Sequence, residues 1–126
     1  MYETLKLESQ GRVATVTLNR PQQRNAMSTQ LLKEMIDCAA DLAAQPDVDV
    51  VLVTGAGNCF CAGADLKDKQ RWANPDASFN QQREIASLGM RMARAWEELP
   101  QITIAAVEGY AIGGGLALCA ALDWRV

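Results

Sequence analysis

Ala106-Val107-Glu108-Gly109-Tyr110-Ala111-Ile112-Gly113-Gly114-Gly115-Leu116-Ala117-Leu118-Cys119-Ala120-Ala121 is the stretch whose reading decides the fold of this chain. It continues the apolar run Ile102-Thr103-Ile104-Ala105-Ala106-Val107, which reads as a buried strand. After the glycine turn, residues 116–121 have high helix propensity. A strand that passes through glycines into a helix is the kind of junction where open α/β sheets bind ligands, outside the carboxyl ends of the strands. Glycine lets a ligand approach the backbone closely, and the first turn of a helix offers unpaired N–H groups with a partial positive charge. The junction therefore suits a phosphate or a developing oxyanion. A tight turn with close helix–strand packing accounts equally well for three glycines taken alone. Neither Gly-x-Gly-x-x-Gly nor Gly-Lys-Ser/Thr is present, which disfavours the nucleotide motifs.

Working outward, Val50-Val51-Leu52-Val53-Thr54 is a second continuous apolar run, the pattern of a strand buried on both faces in a parallel sheet. It leads through Gly55-Ala56-Gly57-Asn58 to another glycine junction, Phe60-Cys61-Ala62-Gly63-Ala64-Asp65-Leu66-Lys67. Helical spacing precedes it: with Ser28 as N-cap, apolar residues recur at Leu31, Leu32, Met35, Ile36, Ala39 and Leu42, and the pattern stops before Pro46. A second helix begins near Ser78, presents Ile85, Leu88, Met92, Ala95, Trp96 and Leu99 on one face, and closes at Pro100. At the start, residues 4–8 and 13–18 form an antiparallel hairpin about Gly11, followed by an Asn19-Arg20-Pro21 loop. The order strand, strand, helix, strand, helix, strand, helix defines an α/β class with βαβ crossovers. The stretch Trp72-Ala73-Asn74-Pro75-Asp76-Ala77 reads as an exposed loop. Asp123-Trp124-Arg125-Val126 opens a further strand and stops without a turn or polar tail. Residues 1–126 are thus expected to be one domain cut inside a larger fold, with pairing at a sheet edge as the alternative.

Composition excludes several functions. The 126 residues are 49% hydrophobic and 21% charged, near the globular average, and no apolar run approaches the ~18 residues of a membrane span. Met1-Tyr2-Glu3-Thr4-Leu5 has neither the basic nor the apolar region of a secretory signal, so a soluble, cytoplasmic or organelle-matrix protein is expected. Four cysteines without a Cys-x-x-Cys pair, and no histidine, argue against a metal site. The same absence rules out a Ser-His-Asp or Cys-His unit made from this segment alone. The cysteines are expected to be buried and reduced. A net charge of −3 argues against nucleic-acid binding. Arg20 and Arg24 around one turn, and Lys67, Lys69 and Arg71 around another, make two cationic spots suited to a small polyphosphate. Taken singly, each reads better as a solvated loop charge.

Together, Asn19-Arg20-Pro21 with Asn25-Ala26, then residues 60–66, then residues 106–115 and Asp123, resemble the enoyl-CoA hydratase/isomerase (crotonase) family in order and approximate spacing. Any one piece is weak; the combination, which covers the whole chain, is specific. The resemblance implies a crotonase-like (Clp/crotonase) spiral of β-β-α units, truncated before its C-terminal helical part. It also implies assembly as a homotrimer or homohexamer at full length. An acyl-CoA thioester would lie across the two glycine junctions, with no cofactor beyond the coenzyme A of the substrate. Carried over by position, the backbone N–H groups of Ala64 and Gly114 form an oxyanion hole, with Gly113 beside them. Ala64, Asp65, Leu66 and Lys67 line the CoA-binding segment, Ala62 lies near the adenine, and Arg24 and Lys67 suit the phosphates.

The chemistry is coherent in its own right. Removing a proton next to a thioester, or adding a nucleophile at its β-carbon, moves negative charge onto the carbonyl oxygen, and each fixed donor there is typically worth ~3–4 kcal/mol of barrier. Hydratases of the family carry a glutamate where this chain has Ala117, and a second would fall beyond Val126, so the segment supplies neither acid/base carboxylate. That shifts the expectation from hydration toward double-bond isomerisation or another enolate reaction. Asp65, Glu108 and Asp123 read as turn or capping residues, and Tyr110, Cys61 and Cys119 as packing residues. Two rivals remain: an acyl-CoA-binding module without chemistry, and a Clp-type protease, which needs a serine where Gly114 stands and a histidine.

Overall fold

The computed structural model describes residues 1–72 and 74–126. Strands β1 (Leu5–Gln10) and β2 (Val13–Leu18) pair antiparallel around Gly11, as the β-branched runs predict. Helix α1 (Thr29–Ala43) starts where expected, with the Ser28 side chain accepting from the Leu31 N–H at 3.1 Å. Strand β3 (Val50–Gly55) lies parallel to β2, and β4 (Ile102–Ala105) lies parallel to β3. Between these two strands come the short α2 (Lys69–Trp72) and the long α3 (Phe79–Glu97), the latter opened by a reciprocal capping box between Ser78 and Gln81. Helix α4 (Gly114–Ala121) follows the glycine turn, and β5 (Trp124–Arg125) closes the sheet beside β4. The sheet order is β1-β2-β3-β4-β5. The stretch expected to be loop divides: Trp72 ends α2, residues 74–77 form turn and coil, and Ala73 lies outside the described residues.

Strand order explains where the core sits. Parallel strands laid down in chain order with right-handed crossovers carry all their helices on one face. On that face the register aligns Ala14 with Val51 and Thr103, and Val16 with Val53 and Ala105. All six are buried, with the four valines and alanines of β2 and β3 packed against Leu31 and Met35 of α1, Met92 and Trp96 of α3, and Leu118 of α4. The indole N–H of Trp96 donates to the Met35 carbonyl at 3.0 Å, so the one polar atom of this ring is satisfied inside the core.

The opposite face corrects an expectation. Strand β3 is buried on one side only: Val50 and Leu52 are half-buried while Val51 and Val53 are inaccessible. In line with them stand Val13, Ile102 and Trp124, the last two 52% and 65% exposed. An uninterrupted apolar run is what a two-sided strand looks like in sequence, but no second layer lies on this face among the described residues. Asp123, expected to serve a turn, fastens β5 to β4: its carboxylate accepts the Thr103 N–H at 2.9 Å and its own N–H donates to Thr103 Oγ1 at 3.0 Å. Among the described residues no helix is long and apolar enough to cross a membrane.

Cys38, Cys59, Cys61 and Cys119 are buried and unpaired by disulfides, as expected. Burial pushes the Cys61 thiol up to about 11 and the Cys38 thiol up to about 12, so both stay protonated at neutral pH. Alkylation by iodoacetamide at pH 8 should therefore run at least ~100-fold slower at Cys61 in the folded chain than in denaturant, from thiolate fraction alone. Mass spectrometry of timed samples checks this, and native labelling of Cys61 at the denatured rate would refute it.

Candidate active site

Three loops converge beyond the carboxyl ends of β2, β3 and β4, and a buried side chain joins two of them. After a 3₁₀ turn at Pro21–Gln23, Arg24 and Asn25 both take left-handed backbone, with φ of 52° and 56°. This turns the Asn25 side chain inward, where it is wholly buried. Its amide nitrogen donates to the carbonyls of Ala56 (3.0 Å) and Cys59 (2.6 Å), and its oxygen accepts the Arg20 N–H at 2.8 Å. A short polar side chain able to adopt this conformation and satisfy loop backbone on both sides explains why asparagine stands here.

Main-chain bridges complete the joint. Met27 pairs with Ala64 in parallel fashion: Met27 N donates to Gly63 O at 2.7 Å, and Asp65 N donates to Met27 O at 3.1 Å. Cys61 pairs likewise with Ala111, with Cys61 N on Tyr110 O at 2.9 Å and Ile112 N on Cys61 O at 3.1 Å. The two glycine junctions are thereby pressed together. A Cβ on Gly63, whose φ is +96°, would stand 2.9 Å from the Ile112 carbonyl oxygen, and one on Gly115 would stand 2.7 Å from the Cys61 carbonyl oxygen. Close packing is thus a real reason for glycine at these positions.

That packing leaves two donors over. In this parallel bridge Met27 bonds to the residues on either side of Ala64, so the Ala64 N–H is not used by Met27. Gly114 is the first residue of α4, where an N–H has no acceptor within the helix. Among the described residues neither amide donates to any backbone acceptor. The residues Ala64 and Gly114 both line one cavity of about 270 Å³, whose walls include Met27, Gly89, Met92 and Ala117. No carboxylate lines it among the described residues, and Arg71 at its edge is its one charged side chain.

The other expected site residues divide by location. Arg24 is exposed and borders a separate cavity of about 350 Å³ beside Gly57 and Asn58, and its carbonyl accepts the Ala62 N–H at 3.0 Å. Leu66, 79% exposed, and Lys67 lie on the surface. Gly113 abuts Gly63, with 3.8 Å between its would-be Cβ and the Gly63 Cα. Asp65 is turned inward: one carboxylate oxygen accepts from Arg20 at 3.0 Å and the other accepts the Lys67 N–H at 3.0 Å. Arg20 is accordingly neutralised, and the first cationic spot reduces to Arg24. Tyr110, read from sequence as a packing residue, is 57% exposed.

Two positioning features escaped the sequence reading. Asp68 accepts the Thr29 N–H and hydroxyl with one oxygen and the Gln70 N–H with the other, tying α2 to the start of α1. Burial raises its pKa, but the hydrogen bonds from Thr29 and Gln70 together with the nearby Arg20 charge outweigh that and hold the carboxyl below its usual value. Trp72 donates from its indole nitrogen to the Asp65 carbonyl at 2.8 Å and carries the Arg71 guanidinium over its ring at 4.7 Å. An Asp immediately before a helix start is a local signal for the first; the second depends on contacts between loops and leaves none.

This fold and site define an α/β architecture belonging to the crotonase fold. The crystal structure of enoyl-CoA hydratase from Bacillus anthracis matches with a TM-score of 0.85 at 34% identity, over 98% of this chain and 46% of that one. An enoyl-CoA hydratase/isomerase from Marinobacter aquaeolei matches with a TM-score of 0.87 at 31% identity, over 97% of this chain and 47% of that one. The crotonyl-CoA hydratase of Syntrophomonas wolfei is 34% identical over 126 residues, which is 99% of this chain and 46% of the relative. The family model for enoyl-CoA hydratase/isomerase matches residues 8–126, and the chain belongs to that family. It spans about 45% of the length of the curated relatives it matches.

Proposed function

We propose that the polypeptide carrying these residues processes an acyl-CoA thioester, holding the carbonyl oxygen between the main-chain amides of Ala64 and Gly114 while an enolate forms. The observation that carries this reading is that Ala64 and Gly114, whose N–H groups meet no backbone acceptor among the described residues, line the same apolar cavity. Donors fixed by bridges and by a helix start need no reorganisation as charge develops, and they act most strongly where water is excluded. The CoA portion would leave the cavity along Asp65, Leu66 and Lys67, with Ala62 toward the adenine and Arg24 and Lys67 toward the phosphates.

Ala117 bears on which reaction follows. It borders the same cavity, in the place where hydratases of the family carry a glutamate, and an alanine moves no proton. With the acid/base group supplied from outside these residues, double-bond isomerisation is favoured over addition of water. The absence of any carboxylate on the cavity wall among the described residues also favours a second reading, an acyl-CoA-binding protein without turnover.

The test offers the polypeptide a 2-enoyl-CoA and a 3-enoyl-CoA and follows the products by chromatography. Movement of the double bond faster than gain of water is the expected result. Hydration at ordinary enzyme rates would defeat the isomerase leaning, and tight binding without turnover would establish the second reading. A polypeptide that binds neither thioester would overturn the proposal itself. Assembly as a homotrimer or homohexamer belongs to the same proposal and is read by sedimentation.

A further inference from the structure

Gly89 sits in the middle of the 19-residue helix α3, where glycine is destabilising relative to alanine because it surrenders more chain entropy on folding. Gly63, Gly109 and Gly115 each have a close backbone neighbour that a Cβ would strike; Gly89 has nothing within 4 Å of that position. Its backbone is ordinary helix with negative φ, so conformation does not call for glycine either. Neither packing nor geometry within the described residues accounts for it.

What Gly89 borders is the cavity lined by Ala64 and Gly114. A second cavity, of about 560 Å³, lies one turn nearer the start of α3, walled by Trp72, Ile85 and Ala86 and by the polar side chains of Gln70, Asn74 and Gln82, and Arg71 lines both. Residues three and four apart share a helix face, so Ile85 and Ala86 continue the face that presents Gly89 and Ala93. A side chain at position 89 would stand between the two cavities.

Resting on the thioester reading above, we propose that Gly89 sets the acyl-chain length, keeping open a passage that runs from the apolar cavity at Ala64 and Gly114 along α3 toward residues 74–77. The substrate class is then an enoyl-CoA whose acyl chain passes Gly89 and extends about 5.4 Å, one helical turn, beyond it, which is longer than a four-carbon acyl group.

The experiment uses the polypeptide that carries this segment and compares kcat/KM for crotonyl-, octenoyl- and dodecenoyl-CoA in the parent, Gly89→Ala and Gly89→Leu. The parent should use octenoyl-CoA at least as well as crotonyl-CoA. Gly89→Leu should lower the octenoyl-to-crotonyl ratio at least tenfold, and Gly89→Ala should lower the dodecenoyl-to-crotonyl ratio about twofold while raising Tm by about 2–8 °C. The alanine variant keeps the test alive should the leucine variant fail to fold. An unmoved ratio with turnover intact, a parent that prefers crotonyl-CoA by more than tenfold, or a fall in Tm for Gly89→Ala would each overturn the role of Gly89 alone. Failure to bind any acyl-CoA would sink the thioester reading and this inference with it.

Discussion

Gly114→Pro should lower kcat on an acyl-CoA by about 10²–10³-fold with little change in thermal stability, because it deletes one main-chain donor and nothing else the fold relies on. Proline is well suited to the first position of a helix, where its missing N–H would have been unpaired in any case. At Gly114 that N–H is without an acceptor among the described residues, so the fold gives up no hydrogen bond. The steric obstacle is Met27, whose sulfur lies 2.7 Å from the Cβ position. This is the far end of a flexible side chain, and a Met27→Ala background relieves it. Gly113, having no Cβ, is the residue best able to precede a proline in its unusual backbone, with φ of 54° and ψ of −116°. Turnover measured with a thermal melt checks the prediction. A loss in kcat below threefold, with Tm held, would remove Gly114 from the reaction. A loss of the expected size with KM nearly unmoved is the signature of a donor acting mainly on the transition state.

Gly109→Ala should destabilise the chain by about 2–5 kcal/mol, a large part of the ~5–15 kcal/mol by which domains are ordinarily stable. Two effects add. Gly109 has φ of +69°, a conformation that costs an ordinary L-residue about 1–2 kcal/mol. The new methyl would also stand 2.2 Å from the Asn58 carbonyl oxygen and 3.2 Å from the Cys59 Cα, backbone atoms that no rotamer change moves aside. Relief requires the 106–112 loop to lift from the 58–61 loop. That lift strains the bonds from Phe60 N to Glu108 O (2.7 Å) and from Cys61 N to Tyr110 O (2.9 Å), which hold the two junctions in register. Urea unfolding should show a lower midpoint with an unchanged slope, and an unchanged midpoint would mean that the loops part more easily than their bonds suggest.

The elements of this fold were legible in its sequence wherever a local rule governs them. Ser28 and Ser78 mark their helices because a hydroxyl at the cap serves the N–H three residues on, and both are caps in the structure. The hairpin, strands β3 and β4 and the two glycine junctions follow from β-branched runs and glycine punctuation. Four-residue α2 did not show, since one turn carries no periodicity. The single-sided burial of β3 did not show either, because its inner and outer residues are equally apolar and only the packing tells Val51 from Leu52. At the site, the motif singled out Ala64 and Gly114, and the structure places both residues on one cavity. The pairing of Arg20 with Asp65 across 45 residues was not readable from the motif, and among the described residues it left Arg24 as the one free charge of an expected cationic pair.

One consequence of the arrangement concerns how such a chain can change. In the function proposed above, peptide links supply the anion cradle, and every substitution at positions 64 and 114 short of proline preserves those links. Position 117 is one turn away, exposed on α4, and a new side chain there disturbs neither the bridges at Met27 and Cys61 nor the Asn25 clamp. The proton-handling group can therefore be exchanged, or relocated to another segment, while the cradle stays as it is, so that a lineage can alter which reaction it performs without rebuilding what makes a reaction possible.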